Sequence, residues 1–364
     1  MRKVGLMTFL FYICAVFFSC SSNSALKTNI DDEESASTYL LEPVVKKGEL
    51  GSAVKKTSFA EIWAYLTSGN ENYLDNNYPI TDLAYFGAEV NTYGELIGVP
   101  NLNKISGFPG RKHLVVICNS TSLTHFCIDS KGWVRKELID SLVEATQPFD
   151  GLQIDFELVP KRDVDEFFSF LKELRMRLPE KIFTVALPAR TRTIENDVYD
   201  YERISGVVDK IFVMAYDEHW STSAPGPVAS LDWCDRIASY SISVIGKEKL
   251  VMGLPFYGRT WGNVSLNRAF YFSGIQRIMR ENNVKEVHRE QGIPTFTYEV
   301  PDVTVTGYYD DVFSLSERLS RYSSMGICGV GFWTLGQEDP RVWGCISVEQ
   351  SSVGEDILID KSLE

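Results

Sequence analysis

Short apolar segments that suit β-strands alternate along this chain with segments that suit helices, and this alternation limits the possible folds more than any other feature. The eight strand candidates read EIWAYLTSG, DLAYFGAEV, HLVVICNS, GLQIDFE, IFTVALPA, KIFVMAYDEH, LVMGLPFYG and ICGVGFWTL. Strands that alternate with helices pair in parallel. Eight parallel strands close most simply into a barrel. We therefore predict an α/β protein built on a (β/α)8 TIM barrel.

The best-defined helix lies between the fourth and fifth strand candidates, where RDVDEFFSFLKELRMRL spans residues 162–178. Its apolar residues follow the i, i+3, i+4, i+7 spacing of one helix face: Val164, Phe167, Phe168, Leu171, Leu174 and Leu178. A doubly wound open sheet is the rival fold for such a pattern. It is disfavoured because no glycine-rich phosphate-binding loop follows the first strand.

The sequence divides into four segments. Residues 1–20 have the pattern of an export signal, residues 21–57 are a polar and aperiodic tether, residues 58–345 hold the barrel, and residues 346–364 form a C-terminal tail. Between the seventh and eighth strands, residues 262 to about 308 are too long for a loop and include PTFTYEV and VTVTGYY. We predict a small α+β insertion there.

The N-terminus resembles a signal peptide. MRK provides a basic start, and the apolar run that follows is about sixteen residues long, which is short for a membrane span. Its end, VFFSCSSNS, resembles the cleavage box of bacterial lipoproteins, with Phe17 where that box usually has Leu and Cys20 as the lipidated residue. We favour an exported protein of the cell envelope, lipid-anchored to a bacterial membrane. An ordinary cleaved signal and an uncleaved anchor are the alternatives.

Charge and cysteine content exclude several classes of function. The formal net charge is -13, which disfavours nucleic-acid binding because phosphates would not be neutralised. No CxxC or Cys/His spacing appears, and the four histidines are scattered, so we expect neither a metal nor another cofactor. The pattern leaves disulfide pairing and oligomeric state unassigned.

One strand candidate carries acids where a buried strand rarely tolerates charge. In FDGLQIDFE, residues 149–157, the side chains of Gln153, Asp155 and Glu157 share one face. In a barrel this face lines the interior, and the strand's C-terminal end is where barrel enzymes hold catalytic groups. Two carboxyls this close, with Cα atoms roughly 6.6 Å apart, cannot both ionise cheaply, so one should carry a proton. The competing interpretation is a pair of acids bound to Arg or Lys of neighbouring strands.

Four stretches in order resemble glycoside hydrolase family 18, the chitinase-like barrels. DGLQIDFE resembles the DGxDxDxE signature, FVMAYDEHW the sixth-strand M-x-Y-D, GLPFYGRTW the seventh-strand G-x-P-x-Y-G-R, and GVGFWTLGQED the eighth strand. The resemblance is closest to the bacterial branch that includes spore-cortex peptidoglycan N-acetylglucosaminidases. It covers residues from about 58 to 345.

The resemblance implies a retaining mechanism in which the substrate supplies the nucleophile, its own 2-acetamido oxygen. Glu157 is then the general acid and later the base, Asp155 binds the acetamido N–H, and Tyr216 donates to the acetamido oxygen. Asp217 binds sugar hydroxyls or adjusts the environment of the acid, and Trp333 is the platform under the sugar. Gln153 departs from the pattern, which more often has Asp; it can still hydrogen-bond Asp155 and removes one like charge.

Further candidates lie around the barrel mouth. Met214 matches the sixth-strand motif and borders the acetamido pocket, and Arg259 is an ion-pair partner near the mouth that is also a substrate-binding candidate. Tyr65, Tyr85 and Phe86, on the first two strands, either line the sugar site or pack in the mouth. Three residues are weaker rim candidates. His219 is a candidate for substrate binding, and Trp220 and Trp261 are each either a rim platform for the sugar or a lid of the inserted lobe.

Two functions of different classes fit these residues. The first is a glycoside hydrolase that cleaves β-linked N-acetylglucosamine glycans, with peptidoglycan favoured over chitin. The second is a non-catalytic, chitinase-like glycan-binding protein on the same barrel. We favour the enzyme because lectin-like members typically lose the acid Glu, whereas Glu157, Asp155 and Tyr216 are all present.

Overall fold

The computed structural model describes residues 54–263 and 266–349. In this part of the chain sixteen β-strands and seven α-helices are formed, numbered here in chain order. The predicted signal peptide, Cys20 and nearly all of the predicted tether lie outside the described residues. So does the tail beyond residue 349.

Eight parallel strands close into a barrel, which confirms the predicted (β/α)8 fold class. Each strand pairs with two neighbours, and the first pairs with the second and the eighth to close the ring. The barrel strands in chain order are β2 (Glu61–Thr67), β3 (Asp82–Val90), β5 (Arg111–Ile117), β6 (Gly151–Asp155), β7 (Ile182–Pro188), β8 (Lys210–Met214), β9 (Leu250–Pro255) and β15 (Gly329–Trp333).

The helices cover only part of the barrel. The link from β2 to β3 contains a 3-10 helix, and the link from β3 to β5 contains the short strand β4 (Leu96–Ile97) and another 3-10 helix, so strict alternation fails there. The α-helices in chain order are α1 (Thr121–Ile128), α2 (Trp133–Thr146), α3 (Val164–Arg177), α4 (Tyr201–Ser205), α5 (Leu231–Ile245), α6 (Phe272–Glu281) and α7 (Val312–Ser324).

The predicted helix at residues 162–178 is α3. Its buried face includes Phe167, Leu171 and Leu174, as the spacing predicts, and also Phe170. Phe168 is instead half-buried, and the guanidinium group of Arg203 lies 4.1 Å from the centre of its ring. The buried face of the helix is therefore centred slightly closer to Phe170 than the sequence pattern indicates.

The first and last described strands correct two predicted boundaries. Strand β1 (Thr57–Phe59) starts inside the predicted tether, and β16 (Ile346–Val348) lies in the predicted tail. The two strands pair in parallel, with Thr57 opposite Ile346. Both segments read as polar ends of the chain, and only their pairing makes them strands.

A small lobe is inserted between β9 and α7. Its antiparallel sheet has the order β11-β10-β14-β13-β12 and begins at Tyr257, earlier than the predicted start at residue 262. The difference arises because β10 follows β9 after a single residue, so the apolar run reads as one strand. Helix α6 completes the lobe, whose strands are β10 (Tyr257–Trp261), β11 (Arg268–Tyr271), β12 (His288–Glu290), β13 (Ile293–Val300) and β14 (Val303–Tyr308).

Two apolar cores follow from the alternation of side chains along the strands. The larger core lies between barrel and helices and includes Leu152, Ile154 and Phe156 of the acidic strand region. The ring of Phe156 stacks on that of Phe170 in α3 at 5.8 Å. The smaller core fills the barrel interior with Trp63, Tyr65, Ala84, Val115, Ala186, Phe212 and Val251.

A buried ion network ties β3 to β5 at the N-terminal end of the barrel. Arg111 Nε donates to Asp82 Oδ1 at 2.6 Å, and His113 Nε2 lies 2.7 Å from the same oxygen. Burial raises the pKa of Asp82, but the hydrogen bonds from His113 and Arg111 outweigh it and hold this pKa at about 2. The ring of Trp63, in the interior core, stacks on the ring of His113 with the ring centres 4.3 Å apart. This end of the barrel is therefore structural.

Candidate active site

The two acids Asp155 and Glu157 lie at the C-terminal end of β6. Asp155 is the last residue of the strand and is 5% exposed, whereas Glu157 follows two residues later and is open to solvent at the barrel mouth. In the described part of the chain, neither carboxylate forms an ion pair, and Oδ1 of Asp155 is buried without a hydrogen bond. The competing interpretation, acids bound to Arg or Lys of neighbouring strands, is therefore wrong.

The electrostatic environment raises the pKa of both acids. Burial raises the pKa of Asp155 well above its ordinary value, and the nearby charge of Glu157 raises it further. Desolvation also raises the pKa of Glu157, followed by the charge of Asp217. Because the two groups repel each other as anions, the pair retains a proton to higher pH than an isolated carboxyl would.

Gln153 does not bind Asp155, contrary to the expectation from the sequence. Its Oε1 accepts a hydrogen bond from the Tyr65 hydroxyl, which reaches it from β2 across the barrel interior. Its Nε2 donates to Thr184 Oγ1, on the neighbouring strand β7, at 3.2 Å. Both ends of the amide are thereby occupied, and Asp155 is left free to receive a hydrogen bond from a ligand.

Tyr216 and Asp217 follow β8 and border the acid pair. No hydrogen bond occupies the Tyr216 hydroxyl in the described part of the chain, and burial together with the charges of Asp155 and Glu157 raises its pKa well above the ordinary value. Asp217 adopts a left-handed backbone conformation (φ 58°). The hydroxyl of Tyr216 is thus protonated and able to donate to a ligand.

Asp217 is held by two residues of the lobe strand β10. Its Oδ1 accepts hydrogen bonds from the Tyr257 hydroxyl at 2.6 Å and from Arg259 Nη2 at 3.0 Å. Arg259 is therefore the predicted ion-pair partner, buried at 6% exposure, and it reaches the site through Asp217. Sequence reasoning missed Tyr257, although its position two residues before Arg259 places both on one strand face.

Aromatic side chains form the floor of the mouth. Trp333, at the end of β15, packs against Tyr65 at 5.0 Å and Phe86 at 5.1 Å between ring centres. Met214 is half-buried and packs against the same interior cluster. Trp333 itself is half-buried, so part of its surface remains available to a ligand.

Tyr85 does not belong to this floor, and its prediction as a substrate-binding residue is wrong. It is fully buried in the outer core, and its hydroxyl donates to Glu71 Oε1 at 2.6 Å. Successive strand residues face opposite sides, so Phe86 points into the barrel and Tyr85 away from it.

The three weaker rim candidates have different surroundings in the structure. Trp261 is 3% exposed, and its indole N–H donates to the carbonyl of Trp220 at 3.0 Å, so it is a packing residue. Trp220 is 40% exposed on the loop after β8. His219 Nδ1 lies 2.8 Å from the Pro227 carbonyl oxygen, which holds the ring within that loop.

A model of a known protein family matches the part of the chain that holds these side chains. The model for glycosyl hydrolases family 18 matches residues 108–338, which include the acid strand, Tyr216, Arg259 and Trp333. The chain belongs to glycosyl hydrolases family 18. This confirms the resemblance drawn from the four motifs.

Two proteins of Bacillus species are among those similar in sequence to this chain. The putative sporulation-specific glycosylase YdhD of Bacillus subtilis (strain 168) is 30% identical over 232 residues, which cover 59% of this chain and 54% of that protein. The cortical fragment-lytic enzyme of Bacillus anthracis is 22% identical over 288 residues, or 72% of this chain and 66% of that protein. The chain thus spans about half to two thirds of the length of these relatives.

Solved structures of similar fold include a cortex-lytic enzyme and a chitinase. The spore cortex-lytic enzyme SleL of Bacillus cereus has a TM-score of 0.72 at 21% identity, covering 81% of this chain and 76% of that chain. A chitinase of Chromobacterium violaceum ATCC 12472 has a TM-score of 0.70 at 24% identity, with coverages of 79% and 97%. At these identities the likeness establishes the family 18 barrel fold.

Within residues 54–263 and 266–349 no helix has the length and apolar character that a membrane span needs. No group of three or more His, Cys, Asp or Glu side chains there is arranged to hold a metal ion. The five cysteines of this part, Cys118, Cys127, Cys234, Cys328 and Cys345, are free thiols.

Proposed function

We propose that this family 18 protein is a retaining glycoside hydrolase that cleaves β-linked N-acetylglucosamine glycans by substrate-assisted catalysis. One observation carries the proposal: Asp155, Glu157 and Tyr216 meet at the barrel mouth with no cation or protein hydrogen bond occupying them among the described residues. Oδ1 of Asp155 is buried without a partner, which is costly unless a ligand supplies a hydrogen bond.

Glu157 is the general acid in this proposal. Its pKa is raised by desolvation and by Asp217, so the carboxyl keeps a proton that it transfers to the glycosidic oxygen as the C–O bond breaks. Its position at the open mouth lets the aglycone leave and a water enter. The resulting carboxylate then takes a proton from that water, which restores the acid.

The substrate's own 2-acetamido oxygen attacks the anomeric carbon, so no second carboxylate acts as nucleophile. Asp155 accepts a hydrogen bond from the acetamido N–H and offsets the positive charge that develops on the oxazolinium ring. Tyr216 donates its hydroxyl to the acetamido oxygen and orients it for attack. Water opens the oxazolinium, and the anomeric configuration is retained.

The remaining side chains bind and position the sugar. The half-buried face of Trp333 stacks on the apolar C–H groups of the sugar at the cleavage point. Asp217, locked by Tyr257 and Arg259, keeps Oδ2 for a sugar hydroxyl and holds its negative charge near Glu157.

Peptidoglycan is the favoured glycan, because relatives named as a sporulation-specific glycosylase and as a cortical fragment-lytic enzyme match over more than half of this chain. Chitin is the second candidate, supported by a probable chitinase of Drosophila melanogaster that is 35% identical over 52% of this chain. Product analysis by mass spectrometry on both polymers distinguishes the two.

The decisive experiment measures reducing-end release from purified peptidoglycan and from chitooligosaccharides. Glu157→Gln removes the proton donor and should lower release by about 10²–10⁴-fold. Glu195→Gln, an exposed acid on the loop after β7, is the matched control and should keep wild-type activity. Glycan binding without release by both wild type and Glu157→Gln would instead support the non-catalytic binding protein.

Export and lipid anchoring through Cys20 are part of the proposal. They are supported by the basic start, the apolar run and the cysteine that follows it. Cys20→Ser should move the protein from the membrane fraction to the soluble envelope fraction, and mass spectrometry should detect a diacylglyceryl group on Cys20 of the wild type. A wild-type N-terminal peptide without lipid would contradict the anchor.

A further inference from the structure

The hydroxyl of Tyr199 makes two hydrogen bonds to the backbone on either side of Glu157. It donates to the carbonyl oxygen of Phe156 at 2.9 Å and accepts from the N–H of Val159 at 3.2 Å. A phenol has one proton to donate and lone pairs to accept with, so both roles are filled at once. These contacts bracket the residue that the proposed mechanism uses as its acid.

The backbone around Glu157 has few other restraints. Strand β6 ends at Asp155, and in the described part of the chain the turn 156–159 makes no backbone hydrogen bond to another segment. Phe156 and Val159 are buried, so water cannot readily replace the Tyr199 hydroxyl there. The position of Glu157 therefore depends on a side chain more than 40 residues further along the chain.

Tyr199 is itself held rigidly. Its ring meets Phe167 of α3 edge-on at 6.1 Å, and it is 7% exposed. Its backbone N–H donates to Asp197 Oδ1 at 3.2 Å, and Asp197 forms an ion pair with Arg190 at 2.6 Å. The Arg190 guanidinium lies 5.9 Å from the centre of the Tyr199 ring. The loop after β7 thus presents the hydroxyl in one orientation.

We propose that Tyr199 is a positioning residue that fixes the turn carrying Glu157 and so aims its carboxyl at the glycosidic oxygen. The inference rests on the proposed function, because it takes Glu157 to be the general acid. Burial and the charges of Glu157 and Asp155 keep the pKa of Tyr199 above its ordinary value, so the hydroxyl remains a donor at working pH.

The test compares Tyr199→Phe with Tyr201→Phe. Tyr201 is 2% exposed and its hydroxyl donates to the Pro188 carbonyl at 2.7 Å, so this variant loses a buried hydrogen bond of the same kind away from Glu157. With a chitooligosaccharide substrate, Tyr199→Phe should lower kcat by about 10–100-fold with KM within about threefold. Tyr201→Phe should keep both constants within about threefold. The alkaline limb of the Tyr199→Phe pH profile should also move to lower pH, because a loosened Glu157 becomes better solvated.

A second measurement keeps the test independent of activity. Amide hydrogen exchange at Val159 should accelerate at least tenfold in Tyr199→Phe and stay unchanged in Tyr201→Phe, with thermal unfolding confirming that both variants fold. The positioning role would be overturned if Tyr199→Phe and Tyr201→Phe had the same kcat, whether that kcat is unchanged or reduced. If the wild type cleaves no glycan, the proposed function fails. In that case, unchanged amide exchange at Val159 in Tyr199→Phe would also show that Tyr199 does not fix this turn.

Discussion

Tyr65 and Gln153 share a hydrogen bond inside the barrel that joins β2 to β6 across 88 residues of sequence. Because this bond and the one to Thr184 occupy the Gln153 amide, Asp155 keeps an unpaired, buried carboxyl oxygen. Because the amide at 153 is neutral, the pKa of Asp155 is raised by burial and by the charge of Glu157, without a further charge at position 153.

Gln153→Asp should shift the pH profile. A carboxylate at 153 adds a like charge beside Asp155, which raises the pKa of the acid pair further. The acid then stays protonated to higher pH, so the alkaline limb of kcat/KM should move upward. Gln147→Asp, at the exposed end of α2, is the control and should not move it. An unchanged profile in Gln153→Asp would count against coupling between these positions.

Asp217→Asn should shift the same limb in the opposite direction. The charge of Asp217 raises the pKa of Glu157, so its removal lowers that pKa and the acid loses its proton at lower pH. The variant also leaves buried Arg259 without its ion-pair partner, so the melting temperature should fall. Arg259→Lys keeps the charge and should move the profile less. Loss of activity without any change in the profile would show that Asp217 acts only by binding sugar.

Asp82→Asn should destabilise the protein at neutral pH and much less in acid. The folded-state pKa of Asp82 is about 2 against an ordinary value near 3.8, so its stabilising effect is present above about pH 4 and is lost as pH falls through 2. The shift corresponds to about 2 kcal/mol of unfolding free energy. Urea unfolding at pH 7 and at about pH 2 measures it, with exposed Asp232→Asn as the control. A difference between wild type and Asp82→Asn that is independent of pH would contradict the assignment.

Trp333→Ala and Tyr85→Phe compare a residue at the barrel mouth with one on the outer face of the barrel. Removing the Trp333 ring should raise KM several-fold, because the apolar C–H face of the sugar loses the aromatic surface on which it stacks. Tyr85→Phe removes only the hydroxyl that binds Glu71 outside the barrel, so kcat and KM should stay within about twofold. Steady-state kinetics on one chitooligosaccharide compares both. A changed KM in Tyr85→Phe would indicate that Tyr85 does contact the sugar.

Much of the site could be read from local patterns. Alternation in GLQIDFE places Leu152 and Ile154 on the face opposite Asp155, and the structure has both in the outer core. Glu157 lies two residues beyond the end of the strand, at the mouth. The same rule, applied strand by strand, separates Phe86 from Tyr85, but the strand's orientation is needed to decide which of them faces the barrel interior.

The amino-acid sequence by itself determined the barrel, the strand that carries the acid pair and the family resemblance, because side-chain periodicity and short motifs are local properties of the chain. Only the tertiary structure decided that Gln153 binds Tyr65, that Tyr257 and Arg259 lock Asp217, and that Tyr199 clamps the turn around Glu157. Those hydrogen bonds join residues about 40 to 90 positions apart, and only the folding of the barrel, its loops and the inserted lobe brings them within about 3 Å of each other.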